Sequence, residues 1–218
     1  RPRSFHSEIY YVQNAELFRD GYLAKIEYQK SSDFDRSLLK PNSTGADYDD
    51  ASVKDYYRKV NFSDRIAKAV NILAGNRKNV LVFTRFVEEA QYLTTQIQGA
   101  AIVTAETPKK DREELIKKFR NGNIKVVCNV GILTTGFDYP ELETIVLARP
   151  TMSLALYYQM IGRGIRPHPR KEKILVLDMC GNYSLFGPVE DLQIIDGGNG
   201  KYYIASGNRQ LTNIYFGE

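Results

Sequence analysis

Five short apolar runs punctuate the chain beyond residue 61, at residues 79–83, 100–104, 124–130, 143–148 and 173–179. Each is rich in β-branched residues and too short for a buried helix, so each predicts a strand. The segments between them carry a different period. In "NFSDRIAKAVNILAG", Ile66, Ala69, Val70 and Leu73 share one helical face, with Ser63 as the expected N-cap and Gly75 as the stop. "VEEAQYLTTQIQG" places Ala90, Leu93 and Ile97 inward. "TPKKDREELIKKFRNG" opens with Thr107 as cap and Pro108 at the first helical position, and ends at Gly122. "SLALYYQMIG" reads as a further helix. Apolar strands alternating with amphipathic helices predict an α/β fold, a mostly parallel central sheet covered on both faces and wound by right-handed crossovers. Ligands of such sheets bind beyond the carboxyl ends of the strands, which singles out the loops after Phe83, Thr104, Val130, Ala148 and Met179.

The flanks are less regular. "GYLAKIEYQ" reads as a turn and a strand, "SSDFDRSLLKPNSTGADYDD" as loop, and "ASVKDYYRKV" as a short helix. Near the other end, "DGGNG" between "LQII" and "KYYIA" predicts a β-hairpin. The expected organisation is a linker with a first strand and helix over residues 1–60, the sheet domain over 61–187, and a hairpin extension over 188–218. The chain opens with Arg1 rather than Met, so it reads as a fragment of something longer. No apolar run reaches the ~18 residues a membrane helix needs, and no signal-peptide pattern opens the chain. Cys128 and Cys180 both lie in or beside apolar runs, which fits free thiols in a reducing cytoplasm. With His6 and His168 they are too scattered for a zinc site, so no metal site is expected. The net charge of +4 permits a nucleic-acid partner without requiring one.

The chemistry concentrates in three places. "YQMIGRGIRPHPRKEK" sets Arg163 and Arg166 three residues apart beside Gly162 and Gly164, with Gln159 one turn earlier. On a helix, two such arginines lie roughly 5–6 Å apart at Cβ and can share one phosphate group or grip two neighbouring ones. The bland reading is a solvated basic helix end that suits the helix dipole. "NVGILTTGFDYP" leaves a strand and presents Thr134 and Thr135 before Gly136, then Asp138. Hydroxyls and a glycine amide suit phosphate oxygens; Asp138 suits a ribose hydroxyl or an arginine, or is merely a cap in a tight turn. In "FTRF", Thr84 and Arg85 fall at a strand end, as phosphate contacts or as ordinary surface groups.

In order, "VLVFTRFVEEAQYL", "TAETPKKDREELIKKFRNG", "NVGILTTGFDYPELETIVLARPT" and "YYQMIGRGIRPHPRKEKILVLD" resemble motifs IV, V and VI of the second, RecA-like domain of superfamily 2 helicases. "LTTGFD", "RPT", "QMIGRGIR" and "LDMCGNYSLFGPVE" resemble the RadD-like branch, close to type III restriction subunits. The likeness is close over residues 61–190 and loose over 1–60. It implies a RecA-like three-layer sandwich. Arg166 matches the arginine finger that reaches the γ-phosphate of ATP, Arg163 its companion, and Gln159 the residue that opens motif VI. Gly136 and Asp138 match motif V positions near the nucleotide. Thr134 and Thr135, with Thr84 and Arg85 of motif IV, are then expected toward the nucleic-acid backbone.

The sequence holds no G-x-x-x-x-G-K-[ST] and no D-E-x-[DH] box, the groups that hold ATP phosphates and Mg²⁺. The resemblance assigns these to the first RecA-like domain, the expected partner within the same polypeptide. The chain therefore reads as half of an ATP-dependent DNA helicase or translocase, inactive alone, acting on a single strand or fork. The DNA-repair and restriction assignment rests on spelling only. An RNA helicase domain and a non-catalytic nucleic-acid or partner-binding module are the alternatives. A dinucleotide-binding domain is excluded because no G-x-G-x-x-G follows a strand; "GRGIRP" closes a helix. The cysteine-rich tail of some relatives has no counterpart here, since no cysteine follows Gly187.

Overall fold

A computed structural model describes residues 12–31, 33–131, 139–198 and 200–212. Six strands, β1 (Lys25–Lys30), β2 (Val80–Thr84), β3 (Ala100–Val103), β4 (Val126–Val130), β5 (Thr144–Ala148) and β6 (Lys173–Asp178), form one sheet in the order β1-β6-β5-β2-β4-β3. Every pairing in it is parallel. The fold is the α/β sandwich expected from the alternation of runs.

The strands split their side chains between two cores because successive residues point to opposite faces. Val80 and Val82 of β2, with Val126, Cys128 and Val146, face α3 (Phe62–Asn76) and α4 (Val87–Gln96). Leu81 and Phe83, with Val127, Ile145 and Leu147, face α5 (Lys109–Arg120) and α6 (Leu154–Gly162). All five residues of β2 and of β5 are buried, which explains why these runs are continuously apolar rather than alternating.

The segment before residue 61 builds part of the same structure. β1 pairs with β6 at one edge of the sheet, where Lys25 and Lys30 are exposed. Charged ends of this kind discourage edge-to-edge association. α2 (Asp50–Lys59) buries Val53, Tyr56 and Tyr57. Phe34 packs on Tyr56 and Phe62 with ring centroids 4.9 and 5.1 Å apart. A six-residue helix, α1 (Asn14–Arg19), precedes β1, and Gln13 just before it bonds both the N–H and the C=O of Ile194, each at 2.9 Å. After α7 (Asn182–Phe186), the expected hairpin forms from β7 (Leu192–Asp196) and β8 (Tyr202–Ser206), extended by β9 (Arg209–Gln210). Gly198 and Gly200 take φ of 83° and 73° in its turn. Leu192 and Ile204 pack into the core under α6.

Three local expectations fail. Ser63 is not an N-cap: α3 begins at Phe62, after Asn61 in the left-handed region at φ 49°. Gly75 does not stop α3, which runs through it to Asn76. Thr107 does not cap α5; its hydroxyl accepts from the Thr104 N–H at 2.9 Å, closing the turn before Pro108 instead. A hydroxyl can satisfy several nearby amides, so the residue type alone does not choose among them.

Candidate nucleotide and nucleic-acid faces

The expected site residues among those described fall at opposite ends of the sheet. α6 leaves the carboxyl end of β5 and runs back toward the amino ends, and β6 begins at Lys173. The arginine turn of residues 163–166 therefore lies at the amino edge, beside Ala24, whose N–H bonds the Ile165 carbonyl at 2.7 Å just before β1. The turn is thus at the edge opposite the carboxyl-end loops that the sheet pattern singles out. A crossover helix carries its own carboxyl end to the other edge.

The turn's geometry follows from its burial pattern. Ser153 caps α6, its hydroxyl accepting from Leu156 N–H at 3.2 Å. Tyr157, Met160 and Ile161 are buried, and Gln159 faces solvent. α6 ends at Gly162 with Arg163 as its C-cap, so Arg163 and Arg166 are not neighbours on a continuous helix. Between them Ile165 is buried while Arg166 is exposed. Gly164 serves packing rather than approach to a ligand: a Cβ there would sit 2.9 Å from Ile145 Cδ1 and 3.0 Å from Ile174 Cδ1. The turn lies flat on the first residues of β5 and β6. At Gly162 a Cβ would meet nothing within 4 Å.

The basic cluster that follows is consumed internally. Arg170 pairs with Glu141, and Lys173 with Glu27 at 2.7 Å. Lys171 is 7% exposed and donates to the Gly164 carbonyl at 2.6 Å and to the Pro140 carbonyl. Burial pushes its ammonium down to about 8, with Glu143 acting in the opposite sense.

At the carboxyl edge the expectations for motif IV do not match the side chains. Thr84 is buried and its hydroxyl donates to the Asn129 carbonyl at 3.3 Å. The Arg85 side chain is 7% exposed. Its guanidinium donates to Asp50 at 2.7 Å, to Asp47 at 3.4 Å, to the Pro150 carbonyl at 3.2 Å and to the Tyr48 carbonyl. Neither group points to solvent as a backbone contact must; Arg85 fastens the segment around Asp47 across β2 and β5. Arg36 does similar work, donating to the carbonyls of Thr151 (2.6 Å) and Cys180 (3.0 Å) and to Asn182 Oδ1 (2.9 Å). Asp178 accepts from the N–H groups of Cys180 and Tyr183 at 3.0 and 2.7 Å. Thr134, Thr135, Gly136 and Asp138 lie outside the described residues.

Arg149, at the exit of β5, is partly exposed and carries an unspent donor on this edge. Its Nε is buried without a hydrogen-bond acceptor, and burial together with the Arg85 charge lowers its proton affinity. No role was expected for it beyond membership of "RPT". Its signal was a bare arginine directly at a strand's carboxyl end. Lys171 had no signal at all, because its burial depends on the turn it props.

Residues 64–168 match the family described as the helicase conserved C-terminal domain. Over those residues the chain is similar to the C-terminal, RecA-like domains of helicases. The chain is 34% identical over 164 residues to a 51.5 kDa protein of a Lactococcus phage, covering 73% of this chain and 35% of that one. It is 43% identical over 83 residues to the putative ATP-dependent helicase IRC3 of Saccharomyces cerevisiae, covering 38% of this chain and 12% of IRC3. The chain thus spans about a third or less of either relative. In fold it is similar to a fragment of a putative HsdR subunit of a type I restriction enzyme from Vibrio vulnificus, with a TM-score of 0.62 and 20% identity over 84% of this chain and 37% of that one. Among the described residues no helix is long and apolar enough to cross a membrane.

Proposed function

We propose that this chain is the second motor half of an ATP-dependent DNA helicase or translocase. Its amino-edge turn offers Arg166 and Arg163 to the phosphates of ATP held by a first RecA-like domain of the same polypeptide. The observation that carries this reading is an exposed Arg166 beside a half-buried Arg163, on a turn seated firmly on the sheet. Gln159, Gly136 and Asp138 complete the nucleotide-facing set, and Mg²⁺ belongs mainly to the first domain. Guanidinium groups fixed at this position neutralise charge that develops during phosphoryl transfer, an effect worth on the order of 10³–10⁵ in rate. Arg166→Ala in the full-length protein should abolish ATP hydrolysis while ATP binding persists. Normal turnover in that variant would remove the arginine from this role.

On the nucleic-acid side, Thr134, Thr135 and Arg149 replace Thr84 and Arg85 as the proposed backbone contacts. Phosphate contacts of this sort give weak sequence preference and strong salt dependence. Domain opening and closing around ATP then moves the strand past them. DNA is favoured over RNA by the spelling shared with the repair and restriction branch. Competition between single-stranded DNA and RNA of one sequence tests this choice, and preferential stimulation of turnover by RNA would reverse it.

A further inference from the structure

We infer that Lys171 is a positioning residue for ATP hydrolysis, holding the arginine turn and the end of the loop before β5 in one fixed relation. The inference rests on the reading of Arg163 and Arg166 as ATP-facing groups. Lys171 Nζ donates to two backbone carbonyls from different segments, Gly164 between the arginines and Pro140 two residues after Asp138. An ammonium has three donors and no acceptor, so a single buried lysine can tie two such carbonyls together. Opposite this cation the turn has two other fixed points. Ala24 N–H holds the Ile165 carbonyl at 2.7 Å, and Gly164 rests on Ile145 and Ile174. A charge this buried is costly unless its hydrogen bonds are made. A neutral packed side chain would serve stability at less cost, so the cation's advantage lies in the relation it enforces. Lys171 touches no phosphate in this arrangement; it acts through the backbone that carries Arg163 and Arg166.

The test compares Lys171→Met, Lys171→Arg and Arg166→Ala in the full-length protein, with kcat, the KM for ATP and melting temperature measured for each. A displacement of about 1 Å in a positioned group can lower turnover on the order of 10²-fold. Lys171→Met should therefore lose roughly 10- to 100-fold in kcat while the KM for ATP stays within about threefold, the signature of a contact effective only in the transition state. Lys171→Arg keeps a cation with donors and should recover most of the loss. If Lys171→Met turns over like wild type while Arg166→Ala is inactive, the positioning role is overturned and the finger reading stands. If Arg166→Ala also turns over normally, both readings fall. Should Lys171→Met not fold, Lys171→Arg decides alone: a folded, active variant upholds the inference, and a folded, inactive one overturns it. If neither variant folds, Lys171 serves the fold only and the inference is wrong.

Discussion

Glu89 shows at the scale of one residue how burial sets charge. It is 6% exposed, its Oε1 has no hydrogen-bond partner, and burial raises its carboxyl from 4.5 to about 8. Folded, it keeps a proton that the unfolded chain releases near pH 4.5. Its contribution to stability is therefore complete below about 4.5 and is lost as pH rises through about 8. Glu89→Gln, neutral throughout, should stabilise the protein by about 4 kcal/mol at pH 8 and not at pH 4. Thermal melts across that range check this, and parallel curves for the two proteins would refute it. The residue scale is also where the sequence was least legible. Nothing in "FVEEAQYL" separates buried Glu89 from exposed Glu88, since both are glutamates in one helical turn and only the packing against α3 and β4 divides them. Lys171 and Arg149 were hidden for the same reason. Ser63 and Thr107 misled because a hydroxyl near a helix start has several amides to choose from.

At the scale of elements, the strands and helices were legible because each follows its own period over enough residues. β2 through β6 lie within one or two residues of their apolar runs, and the hairpin turns where "DGGNG" places it. What the periods left open was which edge each loop occupies and which arginines are spent. Arg85 and Arg149 exit adjacent strands at one edge yet have different fates. Arg85 is spent on Asp47, Asp50 and two carbonyls. Arg85→Ala should therefore cost about 2–4 kcal/mol of stability, because it strips a buried network of its centre. It should leave the salt dependence of nucleic-acid binding unchanged. Arg149→Ala should do the reverse, with little loss of stability and a salt slope of binding shallower by about one. Denaturant unfolding and binding titrations across salt concentrations separate the two. An exchange of these phenotypes would place the nucleic acid on Arg85 instead.

For the whole molecule, the length of the parallel strands separates the two proposed faces. The amino edge carries the arginine turn on Lys171, Ala24 and the isoleucines of β5 and β6. The carboxyl edge carries Arg149 over a polar network built by Arg36 and Arg85. On the proposed reading, motion of the entire domain against a partner would move both faces at once and so couple nucleotide hydrolysis to strand movement. The proposal is that this chain supplies arginines to an ATP it does not itself hold. The direct test is ATP hydrolysis by this chain beside a longer form carrying a Walker A segment upstream, each with and without single-stranded DNA. The account predicts no turnover by the chain alone and DNA-stimulated turnover by the longer form. Hydrolysis by the chain alone would contradict it, because the phosphates would then be held by groups within these 218 residues.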